Sequence, residues 1–235
     1  MPDINKLFYE PGAEPSGYAL VNGSNPYYPY VKAQEAFQTF KGAEKIPLII
    51  AGYLMDMPVQ GRYEPADDNS LPRCRFWKYV YHDDMTPLDD ALPTPEQKLS
   101  VWFDPGRAEP GSAPDRRRGY RLFAANVWGV SQEGRQTTVR ITTGRRIPAD
   151  NFRTEIAVRF LIFTSPGMEY LYNGTTRTEG IEQALIEALH GVAIDGVGWL
   201  YYSRANHPDC QTVTDLTDGR ENTGRELTMG VTWQG

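Results

Sequence analysis

The chain has 235 residues, which fits one large domain or two small ones and is enough to bury a core without metal or disulfide staples. Its 24 basic and 30 acidic side chains give a net charge of −6, which excludes a chain that binds nucleic acid through overall positive charge. The 22 glycines and 18 prolines follow no repeat, a composition typical of a loop-rich, β-rich globular protein.

Two features of the chain bear on its compartment. The N-terminal residues lack the basic and then apolar pattern of a secretory signal peptide, and the longest apolar run, 46–55, is about half of what spans a bilayer. Cys74 and Cys210 lie far apart and outside any CxxC pattern. We therefore expect two reduced thiols, a reducing compartment and no insertion in a membrane.

Residues 1–30 contain many prolines and glycines and predict an extended N-terminal arm. The arm either lies on the protein's own surface or binds a neighbouring subunit through tyrosines, which favour interfaces. The candidate interface tyrosines are Tyr27, Tyr28 and Tyr30.

The following residues predict a short helix over 31–42, which ends at Gly42. The apolar run 45–58 is interpreted as a buried strand that begins at Pro47.

The region 58–150 predicts a β-rich insertion, and a possible subdomain, within a single domain that covers 1–235. Its alternating side chains predict strands over 73–84, near 120–130 and over 136–142. Between them, 104–119 predicts a mobile loop or hairpin tip. Basic side chains in this loop are either solvated charges or part of a patch for an acidic partner: Arg116, Arg117 and Arg118.

The last third of the chain has the clearest periodicity. It predicts a strand over 153–163, a helix over 178–190 capped by Thr178 and ended by Gly191, and strands over 197–204 and 225–235. The fold class is therefore α+β, with a mostly antiparallel sheet, one or two helices on one face, and long loops and hairpin insertions. The predicted core comprises Ile156, Val158, Phe160, Ile181, Leu185, Leu189, Leu227, Val231 and Trp233.

A search for catalytic motifs finds no GxSxG, no phosphate-binding glycine loop and no dinucleotide fingerprint. His190 is best explained as a cation beside the carbonyls of a helix end. His207 and Cys210 lie in one turn, whereas nucleophile and base usually come from distant segments. His82 and the two following aspartates offer a ligand pair without a second recognisable cluster. We therefore predict no catalytic residue, no metal and no cofactor.

The order strand, helix, strand, polar segment, strand over 153–235, with a final strand "RELTMGVTWQG", resembles the tail terminator proteins of long-tailed bacteriophages. The segments "AQEAFQTF" and "IPLIIAGY" look like that family's N-terminal helix and first core strand. The resemblance implies a homo-oligomeric ring, typically of six copies, in the virion tail or neck, made in the host bacterial cytoplasm. Such a ring caps the tail tube and joins it to the head connector, while DNA passes through without being bound.

In such a ring the last strand offers a threonine face, or an open edge, to a neighbour through Thr228 and Thr232. The long polar segments 104–119 and 211–224 are further candidates for contacts with adjoining rings.

Three alternatives stay open from the sequence. The chain can be another phage structural protein, such as a tail tube or capsid decoration subunit. A β-rich module that binds carbohydrate or protein is the second, since "NPYYPY" and "RFWKYVY" supply aromatic side chains. The third is a metal enzyme that uses His82, Asp83 and Asp84.

Overall fold

A mixed sheet with helices on one face organises the chain in the computed structural model, which describes residues 40–55, 67–103, 119–124, 136–148, 153–217 and 222–234. The described helices are a 3-10 helix (Phe40–Lys45), α1 (Ile46–Leu54), α2 (Pro72–Tyr81), α3 (Pro95–Val101), α4 (Pro166–Glu169) and α5 (Arg177–Leu189). The described strands are β1 (Trp102–Phe103), β2 (Leu122–Phe123), β3 (Thr137–Pro148), β4 (Arg153–Thr164), β5 (Val192–Ile194), β6 (Gly198–Tyr201), β7 (Gln211–Thr217) and β8 (Thr223–Gln234).

The strand order is β1-β2-β3-β4-β8-β6-β5, and β7 also pairs with β8. The pairs β1–β2 and β2–β3 are parallel, and all other described pairs are antiparallel. The predicted α+β class with a mostly antiparallel sheet is confirmed. The described helices are more numerous than the one or two that the sequence predicts.

Strands β4 and β8 form the centre of the sheet because they pair without a break from Arg153↔Gln234 to Thr164↔Thr223. Alternate side chains of both strands enter one apolar cluster with α1, α2 and α5, as a period of two requires. The nine residues predicted as core are all buried in this cluster.

The predicted strand over 45–58 is wrong, because the apolar run forms helix α1. Ile46, Ile50 and Leu54 recur every four residues and are fully buried, so the run also fits a helix. Pro47 lies in the first turn, where a helix tolerates proline.

The predicted strand over 73–84 is also wrong, because these residues belong largely to helix α2. Pro72 begins the helix, and burial of neighbouring residues such as Phe76 and Trp77 conceals its period. Nε1 of Trp77 donates to the carbonyl of Leu54 at 2.5 Å, which fixes α2 against α1. The region 58–150 therefore carries helices in its described part, and α2 packs against β3 and α5.

Helix α5 begins one residue before the predicted helix and is capped by Thr176, not Thr178. The Thr176 hydroxyl accepts from the amide of Glu179 at 3.4 Å. The helix ends as predicted before Gly191, whose φ of +71° suits glycine.

Of the two predicted alternatives for β8, a threonine face or an open edge, the open edge is excluded along most of the strand, because β8 is paired on both sides. One side pairs with β4, and the other pairs with β6 near Val231 and with β7 from Thr223 to Thr228. Part of the predicted polar segment 211–224 is therefore strand β7. The arm 1–30, the helix 31–42 up to residue 39, and loop 104–118 lie outside the described residues.

The described helices include none with the length and apolar character needed to cross a membrane. Both cysteines are buried and free of disulfide bonds, as the sequence predicts.

Candidate subunit interface

The guanidinium of Arg177 joins three segments of the chain at the start of α5. The side chain is fully buried. It donates to four backbone carbonyls, of which one lies in the last turn of α2, two lie in the loop that follows, and one lies in α4. The acceptors are Met168 at 2.9 Å, Tyr79 at 2.8 Å, His82 at 2.6 Å and Asp84. A planar guanidinium carries five donors in a fixed geometry, so it can satisfy all four acceptors together.

Burial lowers the pKa of Arg177, and the carboxylates of Asp83 and Asp84 act in the opposite direction. Arginine remains charged in proteins, so a lowered pKa does not neutralise this side chain. The buried charge is therefore neutralised by an acidic loop and hydrogen-bonded to backbone dipoles, which makes its burial tolerable.

A second arginine binds the same loop. Arg121 donates to the carbonyls of Val80 and Tyr81 at 2.9 and 2.8 Å, and to both carboxylate oxygens of Asp83 at 2.6 and 2.7 Å. Two arginines thus hold the backbone of 79–84 in one conformation.

This loop and the segment after α4 present large apolar side chains to solvent. The amide of Tyr172 donates to the carbonyl of Met85 at 3.1 Å, which places the two segments side by side. Tyr170 and Tyr172 are 70% and 78% exposed, while Leu171 between them is buried. We call the surface formed by Met85, Tyr170 and Tyr172 the tyrosine face.

A second apolar surface lies on strand β6. Trp199 is 52% exposed, and its ring lies nearly parallel to that of Tyr201, with 6.3 Å between the centroids. Both point away from the helices because Leu200 between them is buried. Thr232 pairs with Trp199 and is partly exposed on the same side. We call Trp199, Tyr201 and Thr232 the tryptophan face.

The two faces lie at opposite ends of the central strands. The segment with Tyr170 follows the end of β4 at Thr164, which pairs with Thr223. Trp199 pairs with Thr232, near the far end of β8. Strands of this length separate the two ends by about 30 Å.

The described charges differ between these ends. The loop beside the tyrosine face carries Asp84, Asp89 and Asp90. Arg145 and Arg146 are exposed on β3 at the end of the tryptophan face, where a bulge between Thr143 and Arg146 breaks the register. One end therefore carries carboxylates. The other carries Arg146 and Arg145, of which Arg145 lies 3.6 Å from Asp209 of the same chain, and Asp195 is exposed in the turn before β6.

The predicted interface residues have different environments. Thr232 lies in the tryptophan face, whereas Thr228 is 2% exposed. The segment with His207 and Cys210 packs over neighbouring Gly230 and covers that part of the sheet, so Thr228 has no surface for a neighbour. The remaining candidates lie outside the described residues: Tyr27, Tyr28, Tyr30, Arg116, Arg117 and Arg118.

The histidines other than His82 act through hydrogen bonds. Nδ1 of His190 accepts from the amide of Tyr202 at 3.0 Å, which ties the end of α5 to β6 and is not the predicted role of a cation. Nδ1 of His207 accepts from the amide of Asp209 at 3.1 Å. Burial raises the pKa of the Cys210 thiol, which opposes a reactive thiolate beside His207.

The sequence did not single out the tyrosine face. The alternation Tyr170, Leu171, Tyr172 was a signal for it, because it places two tyrosines on one side of an extended segment. Their proximity to Met85 had no sequence signal, since it depends on the arginine contacts.

Comparison of the chain with protein-family models, with curated proteins and with solved structures finds no match.

Replacing Arg177 with Met should destabilise the protein by at least about 3 kcal/mol, because four carbonyls lose their donor. Arg177→Lys should lose less of the unfolding free energy, since an ammonium keeps the charge and up to three donors. Urea unfolding followed by circular dichroism measures both. The control is Arg75→Met, which removes a surface ion pair with Glu187 and should cost less than about 1 kcal/mol. Equal losses for the Arg177 and Arg75 variants would contradict the role of Arg177.

Glu169 gives the fold a specific pH dependence. Burial raises the pKa of its carboxyl, although hydrogen bonds from Thr178 act in the opposite direction. Because the pKa of Glu169 is higher in the folded state than in the unfolded state, the carboxyl stabilises the fold fully at pH values below the unfolded-state pKa. This stabilisation is lost as the pH rises through the folded-state pKa. Glu169→Gln keeps an acceptor for Thr178, so it should gain stability relative to wild type as pH rises above about 4.3. A difference in unfolding free energy that is constant with pH would contradict this.

Proposed function

We propose that the protein is a structural subunit that assembles head to tail into a closed ring. The tyrosine face of each copy contacts the tryptophan face of the next. The observation that carries this proposal is the position of two exposed apolar faces at opposite ends of one sheet. A ring requires two different complementary surfaces on each subunit, whereas a two-fold dimer uses one surface twice.

The charges support the same arrangement. Head-to-tail contact brings the acidic loop with Asp84, Asp89 and Asp90 towards Arg146 of the next copy, and towards Arg145, which can exchange its 3.6 Å ion pair with Asp209 for one across the contact. Contact between two acidic ends would instead place carboxylates together, which is unfavourable. Aromatic side chains, methionine and arginine are also the residues enriched in protein interfaces.

Within this class, the ring we propose is the tail terminator of a long-tailed phage. The strand, helix, strand and final strand of the resemblance have counterparts in β4, α5, β6 and β8. Elements α4, β5 and β7 are additional, and the segment that looks like the family's first core strand is helix α1. In this role the ring lies in the virion neck, caps the tail tube and binds the head connector. The net charge of −6 suits a channel that passes DNA without binding its phosphates.

The ring should form as a concentration-dependent oligomer in mass photometry and as rings on tube ends in negative-stain images. A double variant, Tyr170→Ser with Tyr172→Ser, and the single variant Trp199→Ser should each stay monomeric, because each lacks one face. A mixture of the two should form dimers but no rings, since one intact tyrosine face can meet one intact tryptophan face.

The matched control is Leu71→Ser, which removes an exposed apolar side chain that belongs to neither face. It should assemble like the wild type. A monomeric wild type at high concentration contradicts the ring, and a mixture without dimers contradicts head-to-tail contact. Rings that never associate with tail tubes contradict the terminator alone.

The tryptophan face also supports a second candidate, a module that binds carbohydrate. The exposed ring of Trp199, which lies nearly parallel to the half-buried ring of Tyr201, can stack on the apolar face of a sugar. Binding to a saccharide array that Trp199→Ser abolishes would favour this function over assembly.

A further inference from the structure

A cluster of three side chains lies in the loop after α2. His82, Asp84 and Asp90 each offer a ligand atom, and these atoms lie within 4.8 Å of one another. Nδ1 of His82 lies 3.4 Å from Oδ2 of Asp90. For metal–ligand bonds of about 2.1 Å, the edge of a tetrahedron is about 3.4 Å, so the spacing suits two ligands of one ion.

The imidazole of His82 is oriented so that Nδ1 can serve as a metal ligand. Its Nε2 lies 2.8 Å from the carbonyl oxygen of Ala91. A carbonyl only accepts, so Nε2 carries a proton and donates it there. Nδ1 then faces Oδ2 of Asp90, as an ion pair in the protonated ring and with a lone pair for a metal ion in the neutral ring. Histidines that bind a metal through one ring nitrogen usually donate the N–H of the other ring nitrogen to a carbonyl or carboxylate.

The loop is held in place independently of any ion. The carbonyls of His82 and Asp84 accept from Arg177, and the amide of Thr86 donates to Oδ1 of Asp84 at 2.6 Å. These bonds fix the backbone that carries two of the three ligands. A preformed site loses less conformational entropy when it binds its ligand.

We propose that His82, Asp84 and Asp90 bind one divalent transition-metal ion, with Zn²⁺ as the best fit. One imidazole nitrogen with two carboxylate oxygens suits Zn²⁺ better than Mg²⁺ or Ca²⁺, which prefer oxygen ligands alone. Asp83 is not a ligand, because Arg121 occupies both of its oxygens.

The ion links the start and end of the segment that carries Met85 in the tyrosine face. The site is a property of the single chain and does not require the ring.

Titration calorimetry of the tag-free, chelator-treated full chain with Zn²⁺ tests the proposal. The wild type should bind one ion per chain, and Co²⁺ should occupy the same site with visible absorption bands. His82→Gln and Asp90→Asn should each weaken Zn²⁺ binding by about tenfold or more, because each removes a direct ligand. Circular dichroism and melting without metal confirm that both variants fold.

The matched control is Asp89→Asn, which removes the same charge from the adjacent exposed position. It should bind Zn²⁺ like the wild type. No binding by the folded wild type would overturn the proposal, as would unchanged binding in His82→Gln. Equal weakening by Asp89→Asn and Asp90→Asn would also overturn it, since that result indicates general attraction to negative charge.

Discussion

The buried guanidinium of Arg177 is the interaction on which the exposed surfaces at one end of the molecule depend. Strands β4 and β8 pair at the centre of the sheet without it, and their alternate apolar side chains enter the core. The segments that leave the sheet at this end have little regular structure, and their carbonyls must find donors when they are buried. The Arg177 side chain donates hydrogen bonds to four of those carbonyls, so it fixes the loop after α2 against the segment that contains α4.

The sheet and its ends therefore have different roles, one in stability and the other in recognition. The sheet and the helices α1, α2 and α5 bury the apolar core, which accounts for stability. The ends present aromatic side chains, carboxylates and arginines in fixed positions, which accounts for recognition in the function that we propose. Rigid presentation favours assembly, because side chains that are already ordered lose less entropy at an interface. The proposed metal site lies in the same loop and uses the same fixed backbone.

The sequence predicts the parts of the fold in which one side of an element faces solvent. Strand β4 and helix α5 are half-buried, so their periods are visible and their predictions are confirmed. Strand β8 is also confirmed, although it is buried on both faces from Leu227 to Val231, because threonine and glycine alternate there with large apolar side chains. Helices α1 and α2 were predicted as strands, because burial on several sides removes the periodic signal. Arg177 was not predicted as important at all. Its acceptors are backbone carbonyls up to 98 residues away, and no side-chain pattern identifies such partners. For the same reason the sequence showed His82 and Asp84 but not the approach of Asp90.

Cross-linking between defined positions tests the central claim, head-to-tail contact of the two faces, most directly. Met85→Cys is mixed with Thr232→Cys, and a short thiol-specific cross-linker is added; Cys74 and Cys210 are buried and do not compete. Cross-links identified by mass spectrometry should join position 85 of one chain to position 232 of another. Products that join 85 to 85 or 232 to 232 with equal or higher yield would contradict the account, because they require contact between identical ends.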